Sequence, residues 1–160
     1  MRLTLAFACC LFLAACGRDE PEPQRKLSPA AENRVKGQRF LRDNATKPGW
    51  VVTGSGLQYR IISTGSGPKP RATDTVRVHY VGRFVDGTTF ESSRDRGDAP
   101  AALPLRRLLR GWQEGIPMMP IGSTWEFAIP SNLAYGLDNA PESIGPNQTL
   151  VFTIELIGVE

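Results

Sequence analysis

The sequence holds few of the side chains that covalent or metal-dependent chemistry requires. The 160-residue chain has one histidine, His79, and three cysteines, Cys9, Cys10 and Cys16, which all lie near the N-terminus. A zinc site needs several such ligands, and a Cys/His or Ser/His relay needs a histidine beside its nucleophile. His79 falls on the polar side of an alternating stretch, so we expect it to be a solvated surface residue. We therefore predict no metal, no cofactor and neither hydrolytic nor redox chemistry.

What the sequence offers instead is a set of large apolar and aromatic side chains. They are Tyr80, Phe90, Leu108, Leu109, Trp112, Tyr135, Ile144 and Phe152. Taken by itself, Trp112 is most simply a core residue. These residues come from separate stretches of the chain. Whether they form one site therefore depends on how the helices and strands that contain them are arranged.

The stretch that holds Trp112, residues 108–115 (LLRGWQEG), predicts a short helix. We expect Gly115 and Pro117 to end it. Leu109 and Trp112 are three residues apart and would share one face. Alternating apolar and polar residues predict strands over 76–85, 124–129 and 150–159, and shorter ones over 50–53, 57–62 and 89–93. Mainly antiparallel strands and one short helix predict an α+β fold in which a sheet wraps over the helix.

A second helix is predicted over residues 29–45, before the first strand. Ser28 is a suitable N-cap, and proline follows it at the first helical position. Its apolar stripe, made of Val35, Phe40 and Leu41, is thin. The stripe either lies against the domain or pairs with a second copy. One such helix offers little surface for dimerisation, so we expect a monomer.

The charges of the chain limit its partners. The formal net charge is only +3, which does not favour nucleic acid as a partner. Five arginines near the predicted short helix could form a basic rim, although a solvated charged face is the simpler explanation; they are Arg94, Arg96, Arg106, Arg107 and Arg110. The loop 136–148 is long for a connection without a helix or strand, and is therefore a candidate functional segment.

The N-terminus has the features of a targeting segment. An apolar run over residues 3–15 follows Arg2 and is too short to span a bilayer of about 30 Å. It ends in LAAC at 13–16, which resembles the lipobox of bacterial lipoproteins. That resemblance implies a signal peptide over 1–15, cleavage before Cys16, and acylation of Cys16 with fatty acids such as palmitate. The alternative is an ordinary secretory signal in which Cys16 is incidental.

The residues after Cys16 bear on the final location of the chain. Gly17 stands where the lipoprotein signal for retention in the inner membrane would have aspartate. We therefore expect a lipid-anchored protein of the bacterial cell envelope, on the outer membrane and facing the periplasm. Residues 16–27 are polar and contain prolines, which predicts a flexible tether.

Five motifs in order resemble those of the FK506-binding-protein family of peptidyl-prolyl cis–trans isomerases. They are VHYVG, DGTTFESSRDRG, LLRGWQEG, LAYG and IGPNQTLVF, within residues 49–160. The resemblance implies a twisted antiparallel sheet of five or six strands around one short helix. It places the domain at 48–160, after a helical extension at 28–47. The segment SGLQYRIISTGSG also resembles bacterial members with a periplasmic or surface location.

The resemblance also implies roles for the residues of the apolar set. Trp112 would form the floor of a pocket, Ile144 would belong to a flap, and aromatic walls would come from Tyr80, Phe90 and Phe152. Ligand carbonyls would accept hydrogen bonds from the Tyr135 hydroxyl and the Leu109 backbone N–H. Two features depart from the family. Glu91 replaces the usual aspartate, and a Leu108–Leu109 pair replaces Val-Ile.

A further departure thins one wall of the pocket, because residues 100–105 (PAALPL) bring no aromatic ring.

The implied activity is isomerisation of Xaa-Pro bonds in unfolded or folding polypeptides of the periplasm. The barrier of about 18–20 kcal/mol comes from amide resonance, and lowering it requires neither nucleophile nor metal. A macrolide of the FK506 type is a candidate ligand. The alternative is a protein without catalytic activity, which is either a module that binds proline segments or a chaperone scaffold.

Overall fold

The structure is a computed structural model that describes residues 26–160. The predicted signal peptide, the lipidation site Cys16 and most of the predicted tether lie outside the described residues. The described part contains two α-helices, α1 (Pro29–Ala45) and α2 (Arg110–Gly115). Its strands are β1 (Trp50–Val52), β2 (Gln58–Ser63), β3 (Thr75–Phe84), β4 (Thr89–Ser92), β5 (Ala101–Pro104), β6 (Thr124–Ile129) and β7 (Leu150–Val159).

All the strands belong to one antiparallel sheet, which confirms the predicted α+β class. Their order is β1-β2-β6-β7-β3-β4, and β5 pairs with the first half of β3. The sheet has seven strands. The additional strand is β5, whose sequence AALP has no strong strand signal. It is tolerated because β5 lies beside β3 alone and its proline stands at its end, where no ladder hydrogen bond is lost.

Helix α2 lies against β6 at a distance that only glycine permits. A Cβ atom built on Gly115 would lie 2.4 Å from Cε1 of Phe127, and one on Gly111 would lie 2.6 Å from Cγ2 of Ile129. Trp112 lies between these glycines in sequence and is 5% exposed. The close approach of α2 to β6 sets the distance between the Trp112 indole and the sheet.

Helix α2 ends at Gly115, as predicted. The chain continues without a break into a 3₁₀ turn, Ile116–Met118. Pro117 is accommodated because it stands in the first turn of that segment, where its missing N–H costs no hydrogen bond.

Helix α1 has the predicted bounds and the predicted cap, since the Ser28 hydroxyl accepts the Ala31 N–H at 3.3 Å. The apolar stripe explains only part of its docking, because Phe40 and Leu41 are half-buried whereas Val35 is 45% exposed. Asn44 is also buried, and its Nδ2 donates to Oε1 of Gln58 at 2.9 Å. The side chain of Gln58 in turn donates to the Leu41 carbonyl at 2.9 Å. The helix is therefore attached to the sheet partly by polar contacts.

His79 is buried, so the prediction of a solvated histidine is wrong. Its side chain is 9% exposed, and Nδ1 lies 3.3 Å from the hydroxyl of Ser93. The reason is a 3₁₀ turn, Ser93–Arg96, that follows β4 and covers the polar face of β3. The Ser93 hydroxyl also accepts the backbone N–H of Tyr80 at 3.0 Å, which joins the turn to the strand. Within residues 26–160, no helix is long and apolar enough to cross a membrane.

Candidate active site

A pocket of about 360 Å³ opens between the start of α2 and the strands β3, β4 and β7. It brings together most of the residues that the sequence singled out. Its lining consists of Tyr80, Glu91, Arg96, Leu103, Arg107, Leu108, Leu109, Arg110, Trp112, Ala134, Tyr135 and Phe152. Eight of these twelve residues are apolar or aromatic, and the other four are charged. That composition is typical of a ligand-binding pocket.

Trp112 is held in the pocket by two other aromatic rings. The ring centroid of Tyr80 lies 5.2 Å away at an interplanar angle of 81°, and that of Phe152 lies 5.1 Å away at 87°. Such edge-to-face pairs favour one fixed orientation of the indole. Its Nε1 is buried and has no hydrogen-bond partner within residues 26–160. A ligand in the pocket would therefore contact the carbon part of the indole.

A hydrogen-bonded group forms one side of the pocket. The Tyr80 hydroxyl donates to Oε1 of Glu91 at 2.8 Å and accepts from Nη2 of Arg96 at 2.6 Å. Arg96 also forms an ion pair with Glu91. The glutamate that replaces the family's aspartate therefore reaches both neighbours, and its charge is balanced.

Burial and the hydrogen bond to Glu91 raise the pKa of Tyr80 from 10.0 to about 12, and the charge of Arg96 opposes this rise. Between about pH 10 and 12, the Tyr80 hydroxyl therefore keeps its proton in the folded protein and loses it in the unfolded chain. The contribution of Tyr80 to the free energy of unfolding should be constant below pH 10 and should fall as the pH rises from about 10 to 12. Subtracting the tyrosinate absorbance of a Tyr80→Phe variant from that of the wild type should isolate a step near pH 12. A step near pH 10 would contradict the burial and bonding described above.

The Leu109 backbone N–H and the Tyr135 hydroxyl are among the hydrogen-bond donors on the pocket lining that have no partner within the described part of the chain. The carbonyl of Leu108 is already bonded to the Gln113 side chain at 2.7 Å. The carbonyl of Leu109 accepts two N–H groups of α2. Burial, and next the negative charge of Glu91, raise the pKa of Tyr135 above its ordinary value of 10.0, so its hydroxyl keeps its proton further into the alkaline range.

Two predicted site residues, Phe90 and Ile144, do not line the pocket. The Phe90 ring packs at right angles to Phe152, with centroids 5.7 Å apart, and therefore supports the wall from behind. Ile144 belongs to the hydrophobic core and is 8% exposed. It lies in the loop 136–148, which contains no helix or strand, as predicted. We attribute both differences to side-chain packing, which the motifs alone do not reveal.

Sequence reasoning missed other lining residues. Leu103 comes from β5, in the segment expected only to thin a wall. Arg96, Arg107 and Arg110 belong to the group of arginines for which a solvated face was the simpler explanation, yet they line the pocket. Arg94 does face away, toward Glu155 at 3.7 Å. The only sequence signal for these residues was the cluster of five arginines, and the sequence did not show which of them face the pocket.

A sheet is wrapped around a short helix, and the helix holds an indole in a pocket whose lining is mainly apolar and aromatic and includes unpartnered donors. The family described as FKBP-type peptidyl-prolyl cis-trans isomerase matches residues 67–157. A second family, the domain amino terminal to FKBP-type peptidyl-prolyl isomerase, matches residues 15–61. The chain belongs to the FKBP-type peptidyl-prolyl cis-trans isomerase family.

Curated relatives and solved structures agree with this assignment. The outer membrane protein MIP of Legionella longbeachae is 49% identical over 131 residues, which are 82% of this chain and 56% of that protein. The FKBP-type 22 kDa peptidyl-prolyl cis-trans isomerase of Escherichia coli is 47% identical over 141 residues, 88% of this chain and 66% of that protein. The chain thus spans about half to two thirds of the length of these relatives.

Two solved structures share the fold. The crystal structure of FkpA from Escherichia coli superposes with a TM-score of 0.78 at 37% identity, over 82% of this chain and 61% of that chain. A peptidyl-prolyl cis-trans isomerase from Pseudomonas syringae pv. tomato gives a TM-score of 0.76 at 35% identity, over 84% of this chain and 98% of that chain.

Proposed function

We propose that this chain is a peptidyl-prolyl cis–trans isomerase that accelerates rotation about Xaa-Pro bonds of folding polypeptides in the periplasm. The observation that supports it best is a pair of unpartnered donors, the Leu109 N–H and the Tyr135 hydroxyl, on the lining of a pocket in which most residues are apolar or aromatic. The pocket could hold the proline ring while the donors fix the neighbouring carbonyls. Membership of the isomerase family supports the same function.

The mechanism requires only binding and desolvation. Amide resonance sets a rotation barrier of about 18–20 kcal/mol. Water favours the planar, charge-separated amide, and a pocket lined by Trp112, Tyr80 and Phe152 favours it less. Lowering the barrier by about 5 kcal/mol would speed the step by three to four orders of magnitude. Uncatalysed isomerisation takes about 10–100 s and limits the folding of many proteins, so such a rate would be useful.

The balanced Glu91–Tyr80–Arg96 group has a positioning role in this proposal. Its hydrogen bonds hold Tyr80 against Trp112 and keep a carboxylate close to the place where the amide twists. Because Arg96 neutralises Glu91, the pocket can desolvate a neutral peptide without leaving an unpaired negative charge in its wall.

Removal of the Tyr135 hydroxyl tests the role of the free donor. We expect Tyr135→Phe to lower kcat/KM for a short Xaa-Pro peptide by about three- to tenfold, since one net hydrogen bond is worth about 1 kcal/mol. Tyr59→Phe is the matched control, because Tyr59 packs on Trp125 and does not line the pocket. Circular dichroism would confirm that both variants fold. Equal kcat/KM for wild type and Tyr135→Phe would contradict the assigned role.

We also propose that Cys16 carries a lipid that anchors the chain at the outer membrane, facing the periplasm. The lipobox-like LAAC motif supports the anchor, and the relative from Legionella longbeachae named as an outer membrane protein supports the location. Mass spectrometry of the N-terminal peptide of the protein from membranes should find Cys16 acylated. A Cys16→Ser variant should leave the membrane fraction. An unmodified Cys16 at the N-terminus of the purified protein would refute the anchor.

A further inference from the structure

The first half of helix α1 packs against the end of the loop 136–148. Gly37 is buried there, and a Cβ atom built on it would lie 2.3 Å from Oγ1 of Thr149, the residue between this loop and β7. A larger side chain at Gly37 would force the helix away, so the close approach requires glycine. The helical extension therefore contacts the loop that follows Tyr135 as well as the sheet.

Two asparagine side chains join α1 to consecutive residues at the end of this loop. Nδ2 of Asn33 donates to the carbonyl of Pro146 at 2.9 Å, and Nδ2 of Asn147 donates to the carbonyl of Ala30 at 3.4 Å. Asn147 has a φ of 55°, in the left-handed region. That conformation is uncommon for residues other than glycine and persists where the surrounding structure holds it. The contacts with α1 provide such support.

The supported asparagine is hydrogen-bonded to the residue that follows Tyr135. The backbone N–H of Asn147 donates to the carbonyl of Gly136 at 2.8 Å, and the N–H of Gly136 donates to the carbonyl of Ser131 at 2.8 Å. The Tyr135 hydroxyl itself has no partner within the described part of the chain. Its position on the pocket lining therefore depends on side-chain packing and on the backbone at residues 135–136.

We propose that Asn33 is a positioning residue of the active site, which holds the end of the loop 136–148 so that the Tyr135 hydroxyl points at the ligand carbonyl. This inference rests on the proposed function, because it takes a prolyl segment as the occupant of the pocket. Asn33 does not line the pocket and acts only through the loop. Helix α1 thereby contributes to the site although it lies outside the pocket.

The test removes the donor to Pro146 with and without the Tyr135 hydroxyl. In the full chain, we expect Asn33→Ala to lower kcat/KM for a short Xaa-Pro peptide by about two- to fivefold, the size of one net hydrogen bond. In the Tyr135→Phe background the same change should cause no further loss, since two groups that act through one contact are not additive. An equal loss in both backgrounds, or no loss in the wild-type background, would overturn the inference.

Asn44→Ala provides the control for the stability of the helix. Asn44 lies on the same helix and is 1% exposed, but its hydrogen bond goes to Gln58 of β2 and not to the loop. This variant should lower the free energy of unfolding at least as much as Asn33→Ala, and it should keep the wild-type kcat/KM. A loss of activity equal to that of Asn33→Ala would show that only the stability of α1 matters, which contradicts the positioning role.

Hydrogen exchange of the Asn147 amide is a readout that does not depend on catalysis. This N–H is bonded to the Gly136 carbonyl, and local opening of the loop would release it. We expect NMR to show amide exchange about two- to fivefold faster in Asn33→Ala, for the loss of one hydrogen bond, and unchanged in Asn44→Ala. An unchanged rate in Asn33→Ala would overturn the inference, whatever the activity of that variant.

Binding measurements separate the failure of this inference from the failure of the proposed function. A prolyl peptide labelled with a fluorophore would be titrated with the full chain and followed by anisotropy. Weaker binding and faster amide exchange in Asn33→Ala, in a protein that accelerates no isomerisation, would contradict the isomerase activity and support the positioning role. Acceleration by the wild type with no change of kcat/KM in Asn33→Ala would support the isomerase and overturn the positioning role.

Discussion

Replacement of Trp112 by leucine is expected to lower kcat/KM for Xaa-Pro peptides by about tenfold to a hundredfold. The indole is held by Tyr80 and Phe152 and supplies the floor on which a proline ring would rest. Burying a large apolar group is worth about 1.5–3 kcal/mol, and losing that contact in the transition state gives a factor of this size. Leucine keeps much of the buried apolar volume, so the fold should survive.

The matched control for this prediction is Trp125→Leu. Trp125 is also 5% exposed, and it stacks on Tyr59 with centroids 4.9 Å apart, but it does not line the pocket. The two variants should lose comparable stability in urea unfolding, whereas only Trp112→Leu should lose activity. Equal kcat/KM for the two variants would show that Trp112 is a core residue with no special role in the site.

The second large effect is expected at the contact between α2 and β6. Alanine in place of Gly115 would put a Cβ 2.4 Å from Cε1 of Phe127, which is 1% exposed and has no room to move. Alanine normally stabilises a helix by about 1 kcal/mol relative to glycine. Overpacking costs about 1–3 kcal/mol, and the displaced helix would also move Trp112, so we expect lower stability and lower activity together.

Two further variants make this prediction specific. Gly54→Ala should change the free energy of unfolding little, because no atom lies within 4 Å of the added Cβ. The double variant Gly115→Ala, Phe127→Leu should recover part of the lost stability, since the smaller side chain makes room for the methyl group. If Gly115→Ala unfolds at the same urea concentration as the wild type, the close approach of α2 to the sheet is not as described.

The elements that the sequence predicted best are those with local signals. Helix α1 has the predicted bounds because Ser28 and Pro29 define its start. Its docking was not predictable, since the hydrogen bond from Asn44 to Gln58 joins residues on different elements and a buried asparagine resembles an exposed one in sequence. For the same reason His79 was misplaced, because the turn that covers it is recognised only once β4 and β3 are paired.

The candidate site was predictable in most of its aromatic part and at Glu91, but not in its arginines. Trp112, Tyr80 and Phe152 fall in motifs that resemble a family, and the structure places them together. The group of Tyr80, Glu91 and Arg96 depends on the turn after β4. The capping-box spacing of Ser92 and Asp95 marks the start of this turn, but it does not show that the turn folds over β3. The positions of the lining arginines were not predictable either. The sequence pattern around an exposed arginine is the same whether the side chain faces a pocket or open solvent.

The most direct test of isomerase activity is the exchange between the cis and trans forms of a short Xaa-Pro peptide, measured by magnetisation-transfer NMR at equilibrium. A substoichiometric amount of the full chain would be added to the peptide. A catalyst increases the exchange rate in both directions and leaves the ratio of the two forms unchanged, and this is the result we predict. A changed ratio that grows with the amount of bound peptide, with no increase in exchange, would contradict the isomerase and identify a module that binds proline segments.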